Sequence, residues 1–137
     1  MISRSPDETR AVARALGGEL RAGDLVSLSG DLGAGKTVFV QGIAEALGVA
    51  EHVTSPTFTL VHTYVGRVSL VHVDVYRLER LAEFDDLALD EIAADAVVAV
   101  EWGDVVAAGL PSRRTDVALR FGQEDDERRI EVHRVEG

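Results

Sequence analysis

Cysteine is absent from the 137 residues, which excludes disulfides and thiolate metal sites. Asparagine is absent too. The Asn-Lys-x-Asp element that reads guanine in GTPases is therefore impossible, and adenine is left as the base by exclusion. No apolar run approaches the ~20 residues of a membrane span. Met1-Ile2-Ser3-Arg4 lacks the apolar segment of a secretion signal, so a cytoplasmic location is the simplest expectation. Positive charge is outweighed: the net charge is −10 at pH 7. That balance does not suit direct neutralisation of nucleic-acid phosphates. The clusters Arg113-Arg114 and Arg128-Arg129 read as solvated surface, with partner contacts as the alternative. Lysine is nearly missing, since only Lys36 among the 14 cationic residues is not an arginine.

That one lysine stands in Gly30-Asp31-Leu32-Gly33-Ala34-Gly35-Lys36-Thr37, which fits the phosphate-loop pattern G-x-x-x-x-G-K-[ST] at every fixed position. A compact ammonium fits inside a ring of backbone N–H groups and reaches the β- and γ-phosphates; the broad guanidinium fork does not fit in the same way. The surroundings agree. Leu25-Val26-Ser27-Leu28 reads as a short buried strand leading into the loop. From Lys36 to Leu47, Val40, Ile43, Ala44 and Leu47 have helical spacing, and Gly48 ends the pattern. Strand, glycine-rich loop and helix thus occur in the order that presents N–H groups and a helix N-terminus to a triphosphate. Thr37 would offer its hydroxyl to Mg²⁺.

Upstream, Ser5-Pro6-Asp7-Glu8 predicts a helix start with Ser5 as cap and Glu8 completing a capping box. The helix should stop at Gly17-Gly18. Phe58–Tyr64 and Val68–Tyr76 read as a hairpin turning at Val65-Gly66. Leu81–Asp95 has helical propensity. Ala96–Val100 is a continuous apolar run, as in a strand covered on both faces. Thr115–Phe121 and Arg129–Val135 read as an antiparallel pair turning at Gly122–Glu127. The expected architecture is a single α/β domain over 1–137, a three-layer fold of the phosphate-loop NTPase type. Its central sheet is mixed, with an antiparallel flank.

A phosphate loop needs a further acid for Mg²⁺, usually at the end of an apolar strand. Glu101 ends the run 96–100, and Asp74 ends Leu70-Val71-His72-Val73. Each is a Mg²⁺ candidate or a strand-end acid facing solvent. Alternation puts His72, Asp74 and Tyr76 on one strand face, and for His72 an orienting or structural role is expected. Trp102, the single tryptophan, is a packing residue or a reporter of nucleotide beside Glu101. Ser55, Pro56 and Thr57 form a hydroxyl-rich loop that is a simple turn or a γ-phosphate-sensing switch. The stretch after Glu101 is too short for both an acceptor domain and an arginine-rich lid, which weighs against a small-molecule kinase.

Taken together, Asp31–Thr37, Ser55-Pro56-Thr57-Phe58, His72-Val73-Asp74-Val75-Tyr76-Arg77 and Glu101-Trp102 resemble the TsaE (YjeE) family in order and spacing. The resemblance runs from about Thr9 to Trp102. Val38 departs from it, because many members carry a second threonine there. The resemblance implies an ATP- and Mg²⁺-dependent ATPase that supports partners TsaD and TsaB in threonylcarbamoylation of adenosine 37 of tRNAs. It touches tRNA only indirectly and does not involve a membrane. It implies ATP contacts from Thr9, Asp31, Leu32, Gly33, Ala34, Gly35, Lys36, Thr37, Val38 and Trp102. Thr37 and Glu101 would hold Mg²⁺, and Asp74 would touch the Mg²⁺ shell or orient the attacking water. Arg77 would face a partner or the phosphates. Turnover is expected to be slow alone and stimulated by partners. A nucleotide-dependent docking module with incidental hydrolysis and a small-molecule kinase remain the alternatives.

Overall fold

The computed structural model describes residues 1–30, 33–53, 61–74, 94–101 and 114–135. In chain order these form β1 (Ile2–Ser3), α1 (Pro6–Gly17), β2 (Leu25–Gly30), α2 (Lys36–Ala46), β3 (Val61–Tyr64), β4 (Ser69–Asp74), β5 (Ala96–Glu101), β6 (Arg114–Phe121) and β7 (Arg128–Val135). The predicted helix at 81–95 lies outside the described residues, apart from a turn at 94–95.

The seven described strands form one mixed sheet in the order β1-β7-β6-β2-β5-β4-β3. The four inner strands β6, β2, β5 and β4 run parallel. Both flanks are antiparallel: β3 pairs with β4 on one side, and β7 and β1 extend β6 on the other. Every residue of β5 is buried, as its unbroken apolar run requires of a strand packed on both faces. On one face Val26, Leu28, Leu70, Val97, Ala99, Val117 and Leu119 join Ala13, Leu16, Phe39, Val40, Ile43 and Leu47 of the helical segments in a single core. On the other face Leu25, Val71, Val73, Val98 and Val100 are buried as well, outside that cluster. The sheet is thus a covered middle layer.

The helix ends follow their local chemistry, with two departures from expectation. Ser5 caps α1 by accepting from the Glu8 N–H at 3.1 Å. Glu8 answers with a bond from the Arg4 N–H rather than from that of Ser5, so the box closes one residue early. Gly18 stays right-handed at φ −65°, and the chain continues through Glu19 and Leu20 N–H bonds to Leu16 and Gly17 carbonyls. At the end of α2, Gly48 does turn left-handed, at φ 75°.

The β3–β4 connection is longer than the expected Val65-Gly66 turn and spans 65–68. The extra length lets the Arg67 N–H reach the Leu47 carbonyl at 2.8 Å, which ties the loop to the end of α2. Strand β1 was not anticipated. It is two residues long, too short to show a period, and is held by pairing with Arg128 and Arg129 of β7.

Candidate functional site

The carboxyl ends of the parallel strands meet on one side of the sheet. Asp74 and Glu101 are partners in the β4–β5 register, and Leu28 is the partner of Glu101 across β2–β5. In open α/β sheets this is the side on which ligands sit. Gly30 ends β2 at φ 142°, and a Cβ there would lie 1.9 Å from the Leu119 carbonyl oxygen. Only glycine lets the chain leave the sheet there.

The loop delivers the chain to α2 through Gly33 and Gly35, at φ 81° and 106°. Gly35 is the N-cap, so no side chain caps α2, and its first turn has no acidic residue. The first amide to close within the helix is Phe39 N–H, on the Gly35 carbonyl at 2.9 Å. The N–H groups at the start of α2 lie ahead of that first intrahelical bond, and the helix presents its partial positive end there. A Cβ at Gly33 would meet nothing within 4 Å, so the loop borders open space. Lys36 itself is 4% exposed and donates from Nζ to the Gly30 carbonyl at 2.9 Å.

One turn into the site, three side chains form a chain of hydrogen bonds. Thr37 Oγ1 donates to the Glu101 carboxylate, at 3.0 Å from Oε2 and 3.2 Å from Oε1. His72 Nε2 lies 2.5 Å from Glu101 Oε2. Glu101 and His72 are both buried. A buried carboxylate is tolerable when donors surround it. His72 Nδ1 has no hydrogen-bond partner among the described residues. Among the described residues, no group of three or more His, Cys, Asp or Glu converges into an all-protein metal cage. A hydroxyl and a carboxylate oxygen at a helix N-terminus suit Mg²⁺, which keeps waters and phosphate oxygens as its other ligands.

Beside the loop lies a pocket of ≈ 100 Å³, bounded by Thr9, Ala34, Gly35, Val38, Asp126 and Arg128. Thr9 is buried on α1, and its hydroxyl is paired with Ser3 Oγ at 2.7 Å. Arg128 donates to the Asp125 and Glu127 carbonyls and stacks over the Phe121 ring at 4.8 Å. It is built into the β6–β7 turn, which corrects the expectation of a solvated arginine there.

The structure thus brings Gly33, Ala34, Gly35, Lys36, Thr37, Val38 and Thr9 around one end of α2, with Glu101 and the strand position of Asp74 beside them. Asp31, Leu32, Ser55, Pro56, Thr57, Arg77 and Trp102 lie outside the described residues. Asp126 escaped the sequence reading, and Arg128 entered it only as part of a surface arginine cluster. They follow Glu101 in a segment with no motif, and only the β6–β7 turn carries them to the loop.

Comparison with known proteins gives a consistent result. Residues 3–130 match the family described as "Threonylcarbamoyl adenosine biosynthesis protein TsaE". Relatives named "tRNA threonylcarbamoyladenosine biosynthesis protein TsaE" include one from Treponema pallidum, 44% identical over 120 residues, covering 87% of this chain and 89% of the relative. Another, from Bacillus subtilis, is 43% identical over 128 residues, covering 92% and 79%. The crystal structure of YdiB from Bacillus subtilis superposes with a TM-score of 0.80 at 36% identity, covering all of this chain and 84% of that one.

Proposed function

The chain belongs to the TsaE family of tRNA threonylcarbamoyladenosine biosynthesis proteins, and from that premise we propose that it is an ATPase of the phosphate-loop type. It binds ATP with Mg²⁺ and hydrolyses it in support of the partners that modify the tRNA, TsaD and TsaB. The observation that carries this reading is the placement of Thr37 and Glu101. The residue after the only lysine touches the acid at the end of a parallel strand, beside a helix that starts without a side-chain cap.

Each residue has a role that follows from its position. Backbone N–H groups from Gly33 to Val38 bind phosphate oxygens, and the start of α2 adds its partial charge. Lys36, already desolvated, places a full positive charge at the β- and γ-phosphates. Thr37 gives its hydrogen to Glu101 and keeps its oxygen lone pairs for the cation. Glu101 completes the protein's share of Mg²⁺ ligands, and Asp74, its neighbour in register, serves the outer shell or the attacking water. Thr9, Val38, Asp126 and Arg128 enclose the base. When bound, Mg²⁺ and ATP supply the phosphoanhydride to be cleaved and the cation that offsets charge on its terminal oxygens.

Arg128, beside this site, is engaged with turn carbonyls and the Phe121 ring. Arg128, the described arginine that lines this pocket, is therefore not free to serve as a finger on the γ-phosphate, and turnover is slow until partners complete the site. The test is phosphate release from ATP, with and without TsaD and TsaB, using Lys36→Ala as the blank. Stimulation that disappears in the variant supports a partner-gated ATPase. ATP binding with no stimulated release favours a nucleotide-dependent docking module instead.

A further inference from the structure

We propose that His72 is a positioning residue for Glu101 and, through it, for the divalent cation of the site. The inference rests on the reading of that site as a Mg²⁺–nucleotide centre. Strand alternation sends the His72 side chain to the same face as Leu70, into the core. It is fully buried, on a strand flanked by β3 and β5. Its partner across β4–β5 is Ala99, whose small side chain leaves the ring room to lie toward Glu101, two residues further along β5.

An ionised Glu101 carboxylate, which accepts from Thr37, has no hydrogen to give, so the ring nitrogen facing it at 2.5 Å is the donor of this pair. Nε2–H therefore donates to Oε2. Thr37 approaches the same carboxylate from α2. The two donors come from different elements and fix both the rotamer and the tilt of the carboxylate plane.

The cost of this arrangement is visible at the other side of the ring. Nδ1 is buried and has no partner among the described residues, and an unsatisfied buried polar atom is destabilising. On this face its β5 partner Ala99 and its strand neighbour Leu70 are apolar, while its β3 partner is His62. An apolar side chain would pack against the first two without leaving a buried nitrogen unpaired. Histidine is explained by what Nε2 does for Glu101, as imidazole and carboxylate partners outside a metal's own ligands commonly do.

The experiment uses the full chain, with Mn²⁺ as the probe, titrated by electron paramagnetic resonance in the presence of ADP. Wild type, His72→Phe and His72→Gln are compared, with ADP affinity in EDTA as the metal-free reference. Loss of the donor in His72→Phe is expected to weaken Mn²⁺ binding about 10–100-fold, and the Gln amide to restore it to within roughly threefold. Metal-free ADP affinity stays the same in all three. Wild-type Mn²⁺ affinity in a folded His72→Phe overturns the proposal. If that variant does not fold, ¹⁵N resonances of the wild-type ring decide: a proton on Nε2 is expected, and a proton on Nδ1 alone overturns it. Absence of Mn²⁺ binding by the wild-type ADP complex defeats the metal reading of the site itself, and the role of His72 with it. That result is distinct from a loss confined to the variant.

Discussion

Thr37 Oγ1 and the Glu101 carboxylate meet at 3.0 Å although 64 positions separate them in the chain. The contact exists because β2 and β5 are parallel neighbours. The loop that leaves β2 therefore drops the first turn of α2 beside the last residue of β5. Replacing Glu101 by Gln keeps the shape and removes the charge. Phosphate release with partners present is expected to fall roughly 10²–10³-fold, the scale of one electrostatic contact to the transition state. ADP affinity in EDTA should not change. Steady-state assays and fluorescence titration check the two halves; a near-normal rate would sink the Mg²⁺ assignment.

Lys36 sits in a nearly closed space with its Nζ on the Gly30 carbonyl. Lys36→Ala and Lys36→Arg should both reduce turnover, by about 100-fold or more, since arginine's planar fork does not occupy the place of a point charge. Partner-stimulated phosphate release is the measurement. Substantial rescue by arginine would mean that charge alone suffices and that the fit argued for lysine is wrong.

Gly42 faces α1 so closely that an added Cβ would lie 2.5 Å from both Ala13 Cβ and the Arg10 carbonyl oxygen. Glycine to alanine inside a helix ordinarily gains about 1 kcal/mol. Overpacking a tight contact costs about 1–3 kcal/mol. The steric term is the larger, so Gly42→Ala should lower the unfolding free energy in urea by about 1 kcal/mol. A more stable variant would show that the two helices can separate without penalty.

Gly18 gives the opposite expectation. It stands at the end of α1 with right-handed angles, and a Cβ there would have only ordinary contacts, at 3.6 Å and beyond. Gly18→Ala should therefore stabilise by about 0.4–1 kcal/mol through the unfolded chain. A loss of stability in thermal unfolding would overturn this expectation.

Particular residues explain what could be read in the sequence. Ala96–Val100 revealed a central strand because a strand covered on both faces must be apolar throughout. Gly30 to Thr37 revealed the loop because each fixed position answers a separate steric or electrostatic demand. His72 was conspicuous as a polar residue in an apolar strand, but its partner Glu101 is 29 positions away and is brought near only by the β4–β5 register. Thr9 entered by family resemblance alone, since its place beside the loop depends on how α1 packs against α2. Asp126 had no local signal, and the signal at Arg128 was a charge cluster that did not point to the loop. The length of the 65–68 connection was also hidden, because it serves the Leu47 carbonyl rather than the hairpin.

The close approach of α1 and α2 has one more consequence. Gly42 admits Ala13, and Gly17 leaves only 2.8 Å between a notional Cβ and that of Ala46. Neither helix can slide along the other without pressing a side chain into backbone. Thr9 rides on the first helix and Lys36 on the second. The span between them is then a fixed calliper, and any change in it must come from movement somewhere other than along this seam.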